Sequence, residues 1–151
     1  MDVPYRFERT RDAASLHEDF DAIDAGAETD VEVSVAGRLM LRRVQGKLAF
    51  GTLVDSSGSV QLFATTNDTA DFEGFGKLSL GDWVGATGHV MKTRKGELSV
   101  KVREWVVLAE ARRPFPDKWH GMTDIDTRYR QRYVDLWVTP EARRTFLMRS
   151  K

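Results

Sequence analysis

The chain has 151 residues, with 23 basic and 23 acidic side chains, three histidines and no cysteine. That length suits one compact domain with flanking arms, burying about two-thirds of the surface its unfolded chain exposes. The composition excludes a disulfide framework and a thiolate metal site, and binding driven by bulk charge is excluded as well.

His17, His89 and His120 are scattered without ligand spacing and read as surface or packing residues. No apolar run approaches the ~20 residues of a membrane helix, and residues 1–6 lack a signal-peptide core, so a soluble, cytoplasmic protein without membrane contact is expected. The charges are segregated. Acidic residues crowd positions 18–32, and basic ones gather on 38–47, 92–103 and 128–132, which allows a local basic face despite the zero balance.

Along the chain, residues 12–23 read as a short helix, with Leu16, Phe20 and Ile23 on one face and Thr10 or Asp12 as its cap. The period then changes to two. Val31, Val33, Val35, Leu39 and Leu41 predict a long half-buried strand, with a bulge or sharp bend at Gly37. After the Gln45-Gly46-Lys47 turn, Leu48 to Val54 is a second strand. Asp55-Ser56-Ser57-Gly58 is a strong turn signal before a third strand, Ser59 to Ala64. Residues 66–78 read as a loop with one short helix. Strands from about Trp83 to Met91, and from Leu98 through Arg103, flank the basic turn Lys92-Thr93-Arg94-Lys95-Gly96.

Five short strands, a connection between the third and fourth, and a bent first strand predict an all-β core. The best match is a Greek-key barrel of the OB-fold kind, with an SH3-like barrel or a split sandwich as alternatives. The expected organisation is a helical arm over 1–30, the barrel over 31–109, and a linker with helices over 110–151. In the last region Arg113-Pro114-Phe115-Pro116 must be extended, Tyr129 to Leu136 reads as a helix, and Thr139-Pro140 caps another that runs to the chain's end. A helix with no stop signal there suggests an excised piece of a longer protein.

If Asp55 to Gly58 is a tight turn, Val54 faces Ser59, Thr52 faces Gln61, and Phe50 faces Phe63. Ala49, Gly51, Leu53, Val60 and Leu62 then point inward, leaving Phe50 and Gln61 as diagonal neighbours outside. A ring that can stack on a base, beside an amide that can donate to and accept from a base edge, is a candidate nucleotide site. The alternative is a loop-covered Phe50 and a solvated Gln61. Arg38 and Arg42 point opposite to Leu39 and Leu41, and Arg43 lies at the strand's end. Lys92, Arg94 and Lys95 occupy the turn between strands four and five, and Lys101 alternates outward, so these cations gather near that face, either as phosphate ligands or as a solvated rim. No enzyme signature is present: there is no glycine-rich phosphate loop, and Glu97 has no catalytic partner.

More specific stretches are Ala36-Gly37-Arg38-Leu39-Met40, Gln45-Gly46-Lys47-Leu48-Ala49-Phe50, Val60-Gln61-Leu62 and Leu80-Gly81-Asp82. To these add Lys92-Thr93-Arg94-Lys95-Gly96-Glu97-Leu98-Ser99, Arg113-Pro114-Phe115-Pro116-Asp117-Lys118-Trp119-His120-Gly121 and Tyr129-Arg130-Gln131-Arg132-Tyr133-Val134-Asp135-Leu136. Together they resemble class II lysyl-tRNA synthetases over nearly the whole chain. Aspartyl and asparaginyl synthetases share the barrel, but the Lys92 to Ser99 and Asp117 to Gly121 runs resemble the lysine enzyme specifically.

The resemblance implies a module that recognises the tRNA(Lys) anticodon stem-loop. Phe50 would stack on the central uridine, Gln61 would read its edge, and Arg43 and Glu97 would contact the anticodon bases. Arg38, Lys47, Lys92, Arg94, Lys95 and Lys101 complete the candidate nucleic-acid contacts. It also implies a parent lysine–tRNA ligase that uses ATP and Mg²⁺ and dimerises through its catalytic domain. That parent is either free-standing or fused to a membrane lysylphosphatidylglycerol synthetase. The family's three catalytic motifs are absent here, so no cofactor and no catalytic residue are expected in this chain. The rival from another class is an oligosaccharide- or protein-binding barrel in which Phe50 stacks on a sugar.

Overall fold

The computed structural model describes residues 3–113 and 122–151, so Pro114 to Gly121, including the expected Pro-Phe-Pro linker and His120, lies outside the described residues. The chain divides into two compact units, Met1–Arg113 and Pro114–Lys151.

In the first unit, helix α1 (Ala13–Phe20) begins at Asp12. Asp12 accepts from the Ser15 N–H while Ser15 Oγ accepts from the Asp12 N–H, a reciprocal capping box. Thr10, the other candidate cap, instead exchanges hydrogen bonds with the Ser34 backbone. Ala13 and Leu16 enter the core, and Phe20 and Ile23 pack against it from just inside and just beyond the helix end. The expected helical arm thus contributes Ala13, Leu16, Phe20 and Ile23 to the packing of the barrel unit.

Five strands follow: β1 (Glu28–Gln45), β2 (Leu48–Val54), β3 (Ser59–Thr65), β4 (Trp83–Lys92) and β5 (Leu98–Ala109). They close into a barrel in the order β1-β2-β3-β5-β4, with β3 and β5 parallel and the other pairs antiparallel. Closure works because β1 is 18 residues long and serves two neighbours: Glu28 to Arg38 pairs with β4, and Arg38 to Gln45 pairs with β2. Between β3 and β4 a short helix, α2 (Phe72–Phe75), sends Phe75 fully into the core, edge-on to Trp105 at 6.0 Å. The interior is filled mainly by Val, Leu and Ala, small enough for a five-stranded barrel.

The irregularity of β1 lies between Leu39 and Leu41, not at Gly37. The Leu39 peptide bonds to Gly81 and Asp82 rather than to β2, which inserts one residue and reverses the inward parity. Leu39 is consequently buried and Leu41 is 48% exposed, so the expected shared face of these two leucines is corrected. Gly37 serves another purpose: a Cβ there would lie 2.8 Å from the Val54 carbonyl oxygen, so β1 and β2 approach closely because it has no side chain. Val31 is also exposed, beside a second register shift between Glu28 and Glu32.

The second unit holds α3 (Ile125–Arg130), α4 (Arg132–Val138) and α5 (Pro140–Arg149). The single helix expected over Tyr129 to Leu136 is broken at Gln131, whose φ of −112° and ψ of 50° leave the helical region. Tyr129 and Tyr133 are both more than half exposed. Fully buried Asp135 accepts from Arg128 at 2.8 Å and from the Thr139 hydroxyl at 2.7 Å, and it is ion-paired with Arg132. Thr139 does precede α5, with Pro140 in its first turn, but its hydroxyl ties back to Asp135 instead of capping the helix.

Candidate nucleic-acid interface

The turn-based register of β2 and β3 holds pair for pair: Val54 faces Ser59, Thr52 faces Gln61, and Phe50 faces Phe63. Asp55 fixes the turn. One carboxylate oxygen accepts from the N–H groups of Ser57 and Gly58 and from the Ser57 hydroxyl, and the other accepts from the Ala13 N–H at the start of α1. Burial pushes the Asp55 pKa up, but these hydrogen bonds, the Ser57 hydroxyl first, outweigh it and hold the value below the usual carboxylate range. With the register fixed, alternation alone places Phe50, Gln61 and Phe63 on the outer surface.

A groove of about 760 Å³ runs over that surface, between the far end of β1 and the β4–β5 turn. Its floor is aromatic. The Phe50 and Phe63 rings are 5.3 Å apart and tilted by 52°, and the Arg43 guanidinium lies 5.5 Å from the Phe50 ring centre. These side chains form one rung, since Arg43 is opposite Phe50 and Phe50 opposite Phe63. Gln61 occupies the neighbouring rung opposite Ser99, and its amide nitrogen donates to the Ser99 hydroxyl at 2.9 Å.

The turn carrying Lys92 to Glu97 closes one wall. The Thr93 N–H donates to the Glu97 carbonyl, the Gly96 N–H donates to the Thr93 carbonyl, and the Thr93 hydroxyl accepts from the Glu97 N–H. Gly96 permits this tight path with a φ of +86°. The wall is anchored from outside the barrel: Lys92 exchanges backbone hydrogen bonds with Gly26 and Ala27, and its ammonium donates to the Asp21 carbonyl at 2.6 Å. Among the lining residues, Arg43, Lys92, Arg94 and Lys95 face only two carboxylates, Glu28 and Glu97, so the groove is locally basic.

Seven of the sequence candidates therefore converge: Arg43, Phe50, Gln61, Lys92, Arg94, Lys95 and Glu97 all line the groove. Arg38, Lys47 and Lys101 do not. Arg38 donates to the Gly81 carbonyl at 3.0 Å and lies 5.3 Å from the Trp83 ring centre, and burial lowers its pKa. Arg42 is likewise drawn away, to the Gly76 carbonyl. Lys47 is exposed in the β1–β2 turn. Lys101 is opposite Phe63 in register, but its ammonium pairs with Glu28 at 3.1 Å and Asp68 at 3.4 Å. The Glu28 hydrogen bond leads in raising its pKa, with both carboxylate charges adding to the effect.

Sequence reasoning had no role for Phe63, although it shares the outer parity of Gln61 and the rung of Phe50. It also missed Glu28, which fell before the predicted strand start. Among the described residues no group of three or more metal-ligating side chains occurs, and no helix is long and apolar enough to cross a membrane.

An open aromatic-and-basic groove across β1, β2 and β3 of a closed five-stranded barrel defines a class of oligonucleotide-binding barrels. A family model described as an OB-fold nucleic acid binding domain, of the tRNA-anticodon type, matches residues 33–108, and the chain belongs to this family. Over 97% of its length it is 48% identical to a lysine–tRNA ligase of Trichormus variabilis, of which it spans 28%. It is 49% identical to the lysine–tRNA ligase of Parasynechococcus marenigrum over 98% of the chain and 31% of that protein. For the lysine–tRNA ligase of Carboxydothermus hydrogenoformans the identity is 45%, over 98% of the chain and 30% of that protein. The chain thus spans less than a third of the length of the curated relatives it matches.

Proposed function

We propose that the groove binds the anticodon loop of a lysine tRNA and reads its bases on behalf of a lysine–tRNA ligase. The observation that carries this reading is the convergence of a stacking pair, Phe50 and Phe63, an edge-reading amide, Gln61, and four cations on one open surface. Phe50 stacks on a base, Gln61 and Glu97 contact base edges, and Arg43 either stacks or holds phosphate. Lys92, Arg94 and Lys95 hold the backbone, which positions the strand without specifying it. The relatives' name supports lysine as the amino acid of the parent. In that parent, ATP, Mg²⁺ and the dimer contact belong to a catalytic domain, and this chain contributes recognition only.

The test is a titration of the 151-residue chain with an anticodon stem-loop carrying UUU, against the same hairpin with a scrambled loop. Preference for UUU supports anticodon reading. Equal binding of both hairpins points to a general single-strand binder, and binding of neither overturns the nucleic-acid reading.

A further inference from the structure

We propose that Ser99, a buried residue outside the groove lining, sets the direction in which Gln61 reads a base and so makes the site select uridine over cytidine. This deepens the function proposed above and rests on it.

Ser99 is fully buried at the start of β5, so its hydroxyl has no water to exchange with. That hydroxyl carries one hydrogen, which it donates to the Glu97 carbonyl at 3.2 Å. It is then left with acceptor capacity only, which it uses for the Gln61 Nε2 at 2.9 Å. The chain of donors runs one way, from Gln61 to Ser99 to Glu97. Turning the Gln61 amide over would set its carbonyl oxygen against a hydroxyl oxygen with no hydrogen to offer. The turned amide would otherwise take the hydrogen from the Glu97 carbonyl. Either way the relay loses one of its two hydrogen bonds, and in the second case the Glu97 carbonyl keeps only the one from the Thr93 N–H.

With one Nε2 hydrogen committed inward, Gln61 is left with its carbonyl oxygen and its second N–H for a ligand. That pair complements uracil, which offers a donor, N3–H, beside an acceptor, O4. Cytosine offers the reverse, an acceptor at N3 beside a donor at N4. A base whose plane is held by stacking on Phe50 and whose sugar is held by the strand is not free to swap those edges. Cytosine then meets a carbonyl oxygen with its N3 lone pair, unless the amide turns over, and Ser99 opposes that turn. The same anchor couples the reading residue to the wall: Glu97, whose carbonyl ends the relay, begins the segment that leads out of the β4–β5 turn.

Three hairpins test this: one with a UUU loop, one with the central base changed to cytidine, and one with a scrambled loop. Each is titrated against the unsubstituted chain, Ser99→Ala, Ser99→Thr, Gln61→Ala and the Gln61→Ala/Ser99→Ala pair. Turning the amide over costs about one hydrogen bond, so the unsubstituted chain should prefer central uridine over cytidine by about 2- to 10-fold. Ser99→Ala should weaken uridine binding by about 2- to 10-fold, the worth of one hydrogen bond, and bring the uridine-to-cytidine ratio close to one. Ser99→Thr, which keeps the hydroxyl, should retain the ratio. In the Gln61→Ala background, Ser99→Ala should change the ratio no further, because Ser99 acts through Gln61.

A merely structural serine would weaken all loops together and leave the ratio intact, which overturns the proposal. If Ser99→Ala does not fold, Ser99→Gly, judged by the same ratio, takes its place. If the unsubstituted chain binds no loop above the scrambled one, the base-reading groove itself is wrong. If it discriminates and the hydroxyl-free variant discriminates equally, the groove stands and only the role of Ser99 falls.

Discussion

Replacing Phe50 by alanine separates a stacking platform from an ordinary surface aromatic. The ring is half-buried, with Phe63 at 5.3 Å on one side and Arg43 at 5.5 Å. Loss of base stacking should cost about 1–3 kcal/mol of affinity, a weakening of about 5- to 150-fold. A smaller part, about 0.5–1 kcal/mol, comes from the cation–π contact that orients exposed Arg43; the two overlap, so the total should stay near the stacking range. The fold also loses the tilted ring pair, about 0.5–1.5 kcal/mol, so the melting temperature must be followed in parallel and binding measured well below it. Phe50→Leu isolates the effect, because it keeps apolar bulk without a π-face and should weaken binding nearly as much while melting closer to the unsubstituted chain. The assay is fluorescence anisotropy with a labelled UUU hairpin. Phe50→Ala binding within twofold of the unsubstituted chain, in a protein that melts normally, would refute stacking on Phe50.

Lysines inside and outside the groove should differ in salt dependence. Lys95→Ala should weaken matched and mismatched loops alike and reduce the salt slope by about 0.7. Lys101→Ala should leave the slope nearly unchanged, because Glu28 and Asp68 already hold its ammonium; an equal loss at both positions would contradict the assignment. Gly88→Ala should destabilise the barrel by about 1–3 kcal/mol or more, since its Cβ would fall 1.9 Å from the Lys101 carbonyl oxygen and force β4 from β5. Denaturant unfolding checks this, and an unchanged midpoint would show that the strands part freely. For Asp55, a pKa lowered on folding contributes stability that is complete above the unfolded value, about 3.9, and is lost as pH falls through the lower folded value. Asp55→Asn should flatten the acid limb of the stability–pH curve below about pH 4, and an unaltered limb would remove Asp55 as its source.

The parts of the interface proposed to read bases were legible because a local device fixes them. The Asp55 to Gly58 turn sets the β2–β3 register, and strict alternation then carries Phe50, Gln61 and Phe63 outward with no further information. The same logic failed on β1, where it assumed an unbroken strand. The residue inserted between Leu39 and Leu41 is imposed by hydrogen bonds of the Leu39 peptide, which donates to the Asp82 carbonyl and accepts from the Gly81 N–H, about forty positions away. The parity error passed straight to the cations, since Arg42 had been oriented from Leu41 and turns instead to Gly76.

Charge was the least legible property of all. A lysine on the outer parity of a strand reads as available until its partners are known. The carboxylates that take Lys101 come from the first residue of β1 and from the loop after β3. Glu28 does this from the rim of the groove itself, so the acid that withdraws Lys101 also limits how far the basic surface extends. The positive field over Phe50 is thus set by which lysines lack an acid within reach among the described residues. Lys95, held out on the hairpin tip just before Gly96, contributes to that field where Lys101, on β5, does not.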